Sequence, residues 1–450
     1  MPGSHHARSA SQASRRTFLK TAGVLAGGAL AGGLSIARTA HAAGDDVLRI
    51  GVIGCGGRGT GAAGNALAAD KNSKVVALAD AFEDRVQGSL GRLKNLKDGL
   101  GERVVVDKDH CFSGFDAYKK LLASGVDVVI LAEPPHFRPA HLNAADEGGV
   151  HVFCEMPVAV DAPGVRSVLA SCEEAKKKNL SIVSGLCWRY HHGTKETLQR
   201  VLDGAIGEIL VMQEVYNVGS GWGVARDPNL SEMQFQMRNW YCFTWLSGDH
   251  NVEQHIHSLD KSAWAMRDEP PLQAWGLGGR QVRTKQPDTG NIYDHHAVGY
   301  EYPNGARLYS FCRQQPGCYS EVTDLFIGTK GRATVLGRRP DLPSYRIQGE
   351  TNWEFKGEGG DMYVLEHEAL FQAIRSGKPI NNGLYMARST MLAILGRMVN
   401  YTGQRITWDD ALASKEDLSP KSYAWDADPP ILPDKDGKYP VAMPGLTKFV

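Results

Sequence analysis

The chain has 450 residues, with 50 basic and 50 acidic side chains, so it carries no net field that would draw it to nucleic acid or to an acidic membrane surface. That length exceeds what one hydrophobic core supports, which predicts two domains. Eight cysteines are too few for a disulfide scaffold in a chain of this size and no CxxC pair marks a zinc site; only Cys312 and Cys318 lie close enough for a bridge to be considered.

Ser14-Arg15-Arg16-Thr17-Phe18-Leu19-Lys20 is a twin-arginine signature, followed by an apolar Gly/Ala-rich stretch to Ile36 and by Ala40-His41-Ala42, which has the form of a cleavage site. The apolar stretch is short and glycine-rich for a membrane anchor. Residues 1–42 are therefore read as a leader that exports the folded protein, which predicts a periplasmic or secreted protein with no membrane association after cleavage.

The run from Val47 to Asp80 predicts strand, glycine turn, helix, strand. An apolar strand (Leu48 to Ile53) enters Gly54-Cys-Gly56-Gly57-Arg58-Gly59, a small-residue helix follows, and a second apolar run closes on Asp80, 21 residues after Gly59. Gly54 suits the tight bend, Gly56 a close approach of backbone to a pyrophosphate, and Gly59 close packing of helix on strand. Phosphate oxygens then meet free N–H groups at the helix N-terminus. Asp80 stands where a carboxylate accepts hydrogen bonds from an adenosine ribose and repels a 2′-phosphate, and no basic residue follows before Arg85. NAD is favoured over NADP.

The βαβ rhythm continues with a helix over 116–124, a strand over 126–131, a helix over 139–147, a strand over 150–154, a helix over 165–178 and a strand over 181–185. Ligands of such a sheet bind at the carboxyl ends of its strands, here Glu133-Pro134-Pro135-His136 and Glu155-Met156-Pro157. Residues 43–186 are assigned to this dinucleotide-binding domain.

From about Glu208 longer β-rich runs take over: 209–216, 297–302, 306–311, 321–327 and 332–335, with the turn Pro303-Asn304-Gly305 between two of them. They predict a mostly antiparallel sheet in an α+β domain over 187–405, with helices over 362–376 and 384–401. The tail, 406–450, is rich in Pro, Asp and Lys toward its end and is expected to wrap the surface. Within this half, Gly248 to Trp264 puts Glu253 and His257 at i, i+4, with His250 and Asp260 along the same helical face. A carboxylate one turn from an imidazole fits a general base; His250, Glu253 and His257 also fit a divalent metal. Arg189 and Tyr190 at a strand end, and Trp240 and Tyr241 before the helix, mix aromatic planes with donors as sugar pockets do. His295 is assigned to the cleft.

The ordered motifs resemble the Gfo/Idh/MocA family of nicotinamide-dependent sugar and polyol oxidoreductases over roughly residues 47 to 405. They are the Gly54–Gly59 loop, the Pro-Pro strand end with His136, Glu155-Met156-Pro157 where the family usually reads Glu-Lys-Pro, and Glu253, His257 and Asp260 where it carries an acid, a histidine and an aspartate. The resemblance implies a Rossmann doubly wound parallel sheet joined to an α+β domain whose open sheet forms a homo-oligomer interface. It implies a carbohydrate between the nicotinamide and the helix of His257, with His257 as base, Glu253 behind it and no metal. By the same resemblance Gly54, Gly56, Gly57, Arg58, Gly59, Asp80, Glu133, Pro134, His136, Glu155 and Pro157 surround the cofactor. Arg189, Tyr190, Trp240, Tyr241, Asp260 and His295 face the sugar. Two departures stand out: Met156 replaces the lysine that holds the reacting hydroxyl, and Glu133 replaces a threonine beside the nicotinamide. The implied activity is hydride transfer between a tightly held NAD and a sugar or glycoside hydroxyl. A related branch without the lysine cleaves glycosides by oxidation, elimination, water addition and reduction, and a sugar-binding protein that has lost the chemistry is a third reading.

Overall fold

The computed structural model describes residues 46–219, 223–339 and 341–450; the leader read at 1–42 lies outside them. Strands β1 (Leu48–Ile53), β2 (Ser73–Asp80), β3 (Cys111–Ser113), β4 (Val128–Leu131), β5 (His151–Cys154) and β6 (Ile182–Ser184) form one sheet ordered β3-β2-β1-β4-β5-β6, every pair parallel. All four residues of β4 are buried, as a parallel strand covered by helices on both faces requires. β1 and β4 are neighbours although the chain leaves β1 for β2 on its other side. Their carboxyl ends therefore splay apart at the switch point and open a crevice.

The division of the chain near residue 187 is crossed by segments of the C-terminal half. Helix Met362–Ser376 buries Leu370, Phe371 and Ile374 in the same cluster as Ala62, Ala66 and Leu67 of helix Gly57–Ala69, and Asn381 bridges Ile182 beside β6. A C-terminal segment thus completes the N-terminal layer.

The second sheet joins β7 (Ile209–Val218), β8 (Gln273–Gly279), β9 (His295–Glu301), β10 (Arg307–Gln314), β11 (Glu321–Gly328), β12 (Gly331–Arg339), β14 (Arg346–Gly349), β15 (Trp353–Glu354) and β16 (Ile406–Thr407), in the order β15-β14-β12-β11-β7-β10-β9-β8-β16, with β13 (Leu342–Pro343) beside β12. Only β7 and β10 pair in parallel. The predicted Pro303-Asn304-Gly305 turn joins β9 to β10, with Gly305 at φ 85°. One face carries helices Ile256–Ala265 and Gly383–Thr402; on β10 it takes Leu308, Ser310 and Cys312, while Tyr309 and Phe311 alternate outward and are exposed.

The stretch from residue 406 is only partly extended, because β16 edges this sheet and Trp408–Ala413 is a helix. Beyond it the chain lies over the N-terminal domain. The Tyr423 hydroxyl meets His136 Nε2 at 2.8 Å, and Trp425 packs against Phe82 and Phe115 with ring centroids 4.9 and 4.5 Å away. All eight cysteines are free; Cys312 is buried and Cys318 exposed, so the bridge considered between them does not form.

Candidate active site

A cavity of about 540 Å³ runs along the crevice, from Asp80 past the glycine loop to Glu253 and His257. At its near end Asp80 accepts the N–H of Cys55 at 2.7 Å and of Phe82 at 2.9 Å through different oxygens. This ties the glycine loop to the tip of β2, and burial raises the carboxyl pKa. Phe82, Phe115 and Arg85 line the same end.

The loop geometry fits a pyrophosphate. Gly54 has φ +92° and turns against the backbone of Ala132 and Glu133, where a side chain would collide. A Cβ on Gly59 would fall on the Gly54 carbonyl oxygen. At Gly56 and Gly57 the space a Cβ would take is empty for 4 Å and opens onto the cavity. Helix Gly57–Ala69 begins there with no side-chain cap and no acid in its first turn, which leaves its N–H groups and positive dipole end for an anion. Arg58 lines the cavity but pairs with Glu155 and reaches Glu366 at 3.2 Å. Glu155 is therefore a braced wall.

Toward the far end Glu133, Pro134 and Met156 line the cavity. Glu133 Oε1 meets His141 Nδ1 at 3.0 Å, and Oε2 is buried without a partner. Arg138, buried, ties the strand tips together by donating to the carbonyls of Glu133 (2.6 Å) and Pro157. Pro157 thus acts through its backbone and does not line the cavity. His136 is also outside it, held by Tyr423 and an edge-on Trp245.

Glu253 and His257 both open onto the cavity, with Trp240 and Tyr241, but they do not form the expected couple. Asp249 takes φ 84°, one short helix ends at Glu253, and the next begins at Ile256. The i, i+4 relation of a continuous helix is lost between them. Glu253 is hydrogen-bonded by Tyr241, whose hydroxyl also accepts Gln314 Nε2 at 2.7 Å. Burial pushes the Glu253 carboxyl up to about 7, against the pull of Arg138. His257 Nδ1 is buried without a partner, and burial, aided by Lys261, pushes the imidazole down to about 4. The expected rise in its basicity is reversed: the ring is neutral, and Glu253 is the group poised near neutral pH.

His250 turns away and packs with Asp249 and His296 in a buried cluster with metal-ligand spacing. Asp249 Oδ2 there accepts the Tyr293 N–H (2.9 Å) and the Tyr401 hydroxyl (2.5 Å), while Oδ1 meets His250 at 2.8 Å and His296 at 3.2 Å. The alternative metal set His250, Glu253 and His257 is not assembled.

Four residues assigned to the sugar lie elsewhere. Asp260 and Arg189 form a buried ion pair at 2.8 Å, extended to Asp268 at 2.6 Å, with the guanidinium 3.8 Å over the Tyr385 ring. Tyr190 donates to Asn382 at 2.9 Å. His295 sits on β9, paired with Asp294 at 2.8 Å. Arg189→Met leaves Asp260 buried and unpaired, and should cost about 3–5 kcal/mol of stability with KM unchanged in the folded fraction. Urea unfolding and steady-state kinetics check the two together. Sequence reasoning missed Arg138 and His141, which follow the Pro-Pro strand end as an ordinary helix start does. It also missed Phe82, on which the fold stacks Arg238 at 4.1 Å beside the cavity.

Residues 48–183 match the profile of the oxidoreductase family with an NAD-binding Rossmann fold. Among curated proteins, the 2,7-anhydro-N-acetylneuraminate hydratase of Escherichia coli is 26% identical over 58% of this chain and 68% of its own length. The myo-inositol 2-dehydrogenase of Thermotoga maritima is 26% identical over 74% of this chain and 90% of its own. Among solved structures, the aldose-aldose oxidoreductase of Caulobacter crescentus shares the fold with a TM-score of 0.61 at 18% identity, over 80% of this chain and 99% of that one. Residues 48–183 thus match the NAD-binding Rossmann fold of the Gfo/Idh/MocA oxidoreductases, and the chain shares over most of its length the fold of the aldose-aldose oxidoreductase.

Proposed function

We propose that the protein transfers a hydride between tightly held NAD and a hydroxyl-bearing carbon of a sugar, polyol or glycoside. One observation carries this reading: a single cavity joins the glycine cradle to Glu253, His257, Trp240 and Tyr241. NAD would lie with its ribose at Asp80, its pyrophosphate at Gly56 and Gly57 and its nicotinamide toward Glu133, and supplies the hydride acceptor. The chain's own side chains do the rest. Glu253 takes the hydroxyl proton, neutral His257 hydrogen-bonds the reacting oxygen, and Tyr241 orients Glu253. The Asp80 carboxylate supports NAD over NADP.

A second reading, redox-neutral cleavage or hydration of a glycoside, is favoured by Met156, which has no group to hold or deprotonate a hydroxyl, and by the hydratase among the relatives. We also propose export by the twin-arginine route, supported by Arg15 and Arg16, and a homo-oligomer. Exposed Leu277 and Phe311 lie in one cross-strand row through Ala297 on the open sheet face, a surface a second copy would cover; light scattering that gives a monomer counts against it.

Denaturing the purified protein should release nicotinamide nucleotide detectable by mass spectrometry; protein that releases none and binds no added NAD fails the proposal. His257→Ala should lower turnover about a hundredfold with the nucleotide still bound, because the ring belongs to helix Ile256–Ala265 and not to the glycine loop that forms the phosphate cradle. Turnover equal to wild type would remove His257 from the chemistry.

A further inference from the structure

β4 and β5 run side by side, with Leu131 paired to Cys154. The same register carried past the strand ends sets Glu133 beside Met156, and both line the cavity. Met156 exchanges no proton. Glu133 has one oxygen on His141 and the other buried with no protein partner. His141 lines the cavity too, stacked 4.0 Å from Tyr118. Buried polar atoms are almost always satisfied, so an unpartnered carboxylate oxygen on a cavity wall is a site for a ligand group. Glu253 reaches the same cavity from the other domain and already has Tyr241. Oxidising a hydroxyl needs one proton acceptor. Of the carboxyls lining this cavity, Asp80 accepts two backbone N–H groups and Glu155 pairs with Arg58, which leaves Glu133 and Glu253, on separate elements.

We propose that Glu133, positioned by His141, is the second proton-transfer group of a redox-neutral reaction, and that the substrate is a sugar derivative with a leaving oxygen one carbon beyond the C–H next to the oxidised carbon. This rests on the hydride-transfer reading above. The hydride passes to bound NAD⁺ and the hydroxyl proton to Glu253, leaving a carbonyl that acidifies the adjacent C–H. Glu133 removes that proton; the C–H electron pair becomes a C=C bond, and the bond to the leaving oxygen breaks with its pair. Glu133 gives its proton to the departing oxygen. Water then adds, its oxygen to the carbon that lost the leaving group and its proton, through Glu133, to the adjacent carbon. The hydride and the Glu253 proton return. The sum is one water added and no net oxidation.

The test compares wild type, Glu133→Gln and Glu253→Gln, each with NAD bound, on aryl glycosides in deuterated water. Absorbance at the reduced-nicotinamide band reads hydride transfer, and mass spectrometry of the sugar reads deuterium gained. Wild type should incorporate deuterium, and Glu253→Gln should lose both signals alike. Glu133→Gln should lose deuterium incorporation about a hundredfold more than it loses hydride transfer. Equal losses in Glu133→Gln, undiminished deuterium, or a wild type that transfers hydride and never incorporates deuterium overturns the proposal. Wild type that transfers no hydride to any sugar refutes the underlying reading instead. Glu133 is then judged without turnover, by carbodiimide coupling of the NAD-loaded protein to an amine, mapped by peptide mass spectrometry. Coupling at Glu133 that a bound sugar blocks supports a substrate-facing carboxyl, and coupling at Glu253 alone overturns it.

Discussion

Glu253→Gln should slow turnover by about 10²–10⁴-fold, the usual worth of a positioned base, and make the protein more stable above pH 7. Both effects come from one cause. Burial lifts this carboxyl to about 7, so the folded state holds a proton that the unfolded chain releases near the ordinary carboxylate value. Below that ordinary value both states are protonated and the group costs nothing. Between it and about 7 the folded state binds more protons than the unfolded, so stability falls as pH rises. Above 7 a buried carboxylate remains, at a cost on the order of 3–4 kcal/mol. Glutamine is neutral throughout. The variant's advantage in Tm should therefore be absent at pH 4 and reach a few degrees by pH 8, while the wild-type rate, and not the variant's, climbs through about pH 7. A variant no more stable than wild type at pH 8, with a wild-type rate flat across pH 6–8, would show Glu253 to be an ordinary carboxylate.

Two glycines of the loop should fail in opposite ways. Gly56→Val puts a side chain into empty space that opens on the cavity. It should leave unfolding of the nucleotide-free protein within about 1 kcal/mol of wild type, as a surface change does, while weakening NAD by at least about a hundredfold, because the pyrophosphate needs that volume. Gly59→Ala puts its methyl onto the Gly54 carbonyl and against the Ala132 side chain. Helix and strand must move apart, and the nucleotide-free protein itself should lose about 1–3 kcal/mol, as overpacked sites do. Calorimetry of the two variants with and without NAD separates them; equal losses in both states for Gly56→Val would place the phosphate elsewhere.

The nucleotide half was legible because its pattern is local. An apolar strand, glycines and an acid at the next strand's end follow one another within a few tens of residues, and each demands what its neighbours provide. The second sheet was legible where strands alternate, as in β10, and illegible in β8. There Gly276, Gly278 and Gly279 erase the alternation, and the strand exists because Gly276 lets Asn400 and the Ala297 carbonyl come close. The substrate end was misread where a helix was assumed unbroken. It breaks at Gln254 and His255, between a short helix ending at Glu253 and the next beginning at Ile256, and neither residue is a Gly or Pro that would mark the break in the sequence. Asp260 was drawn to the cavity by that assumed face, whereas Arg189, 71 residues earlier, claims it in the core. Arg138 looked like a solvated helix start until two strand-end carbonyls enclosed it.

The packing of Trp425 on Phe82 and Phe115 bears on the order in which the molecule is made. The strands and glycine loop that hold the nucleotide emerge first from the ribosome, but the backing of its adenosine chamber is synthesised more than three hundred residues later. A nascent N-terminal domain therefore has Phe82 and Phe115 on its cavity wall but lacks the Trp425 ring that packs on both. A chain stalled before Trp425 leaves the ribosome should hold NAD more weakly than the released protein, because the two rings lining the adenosine end are then unbacked.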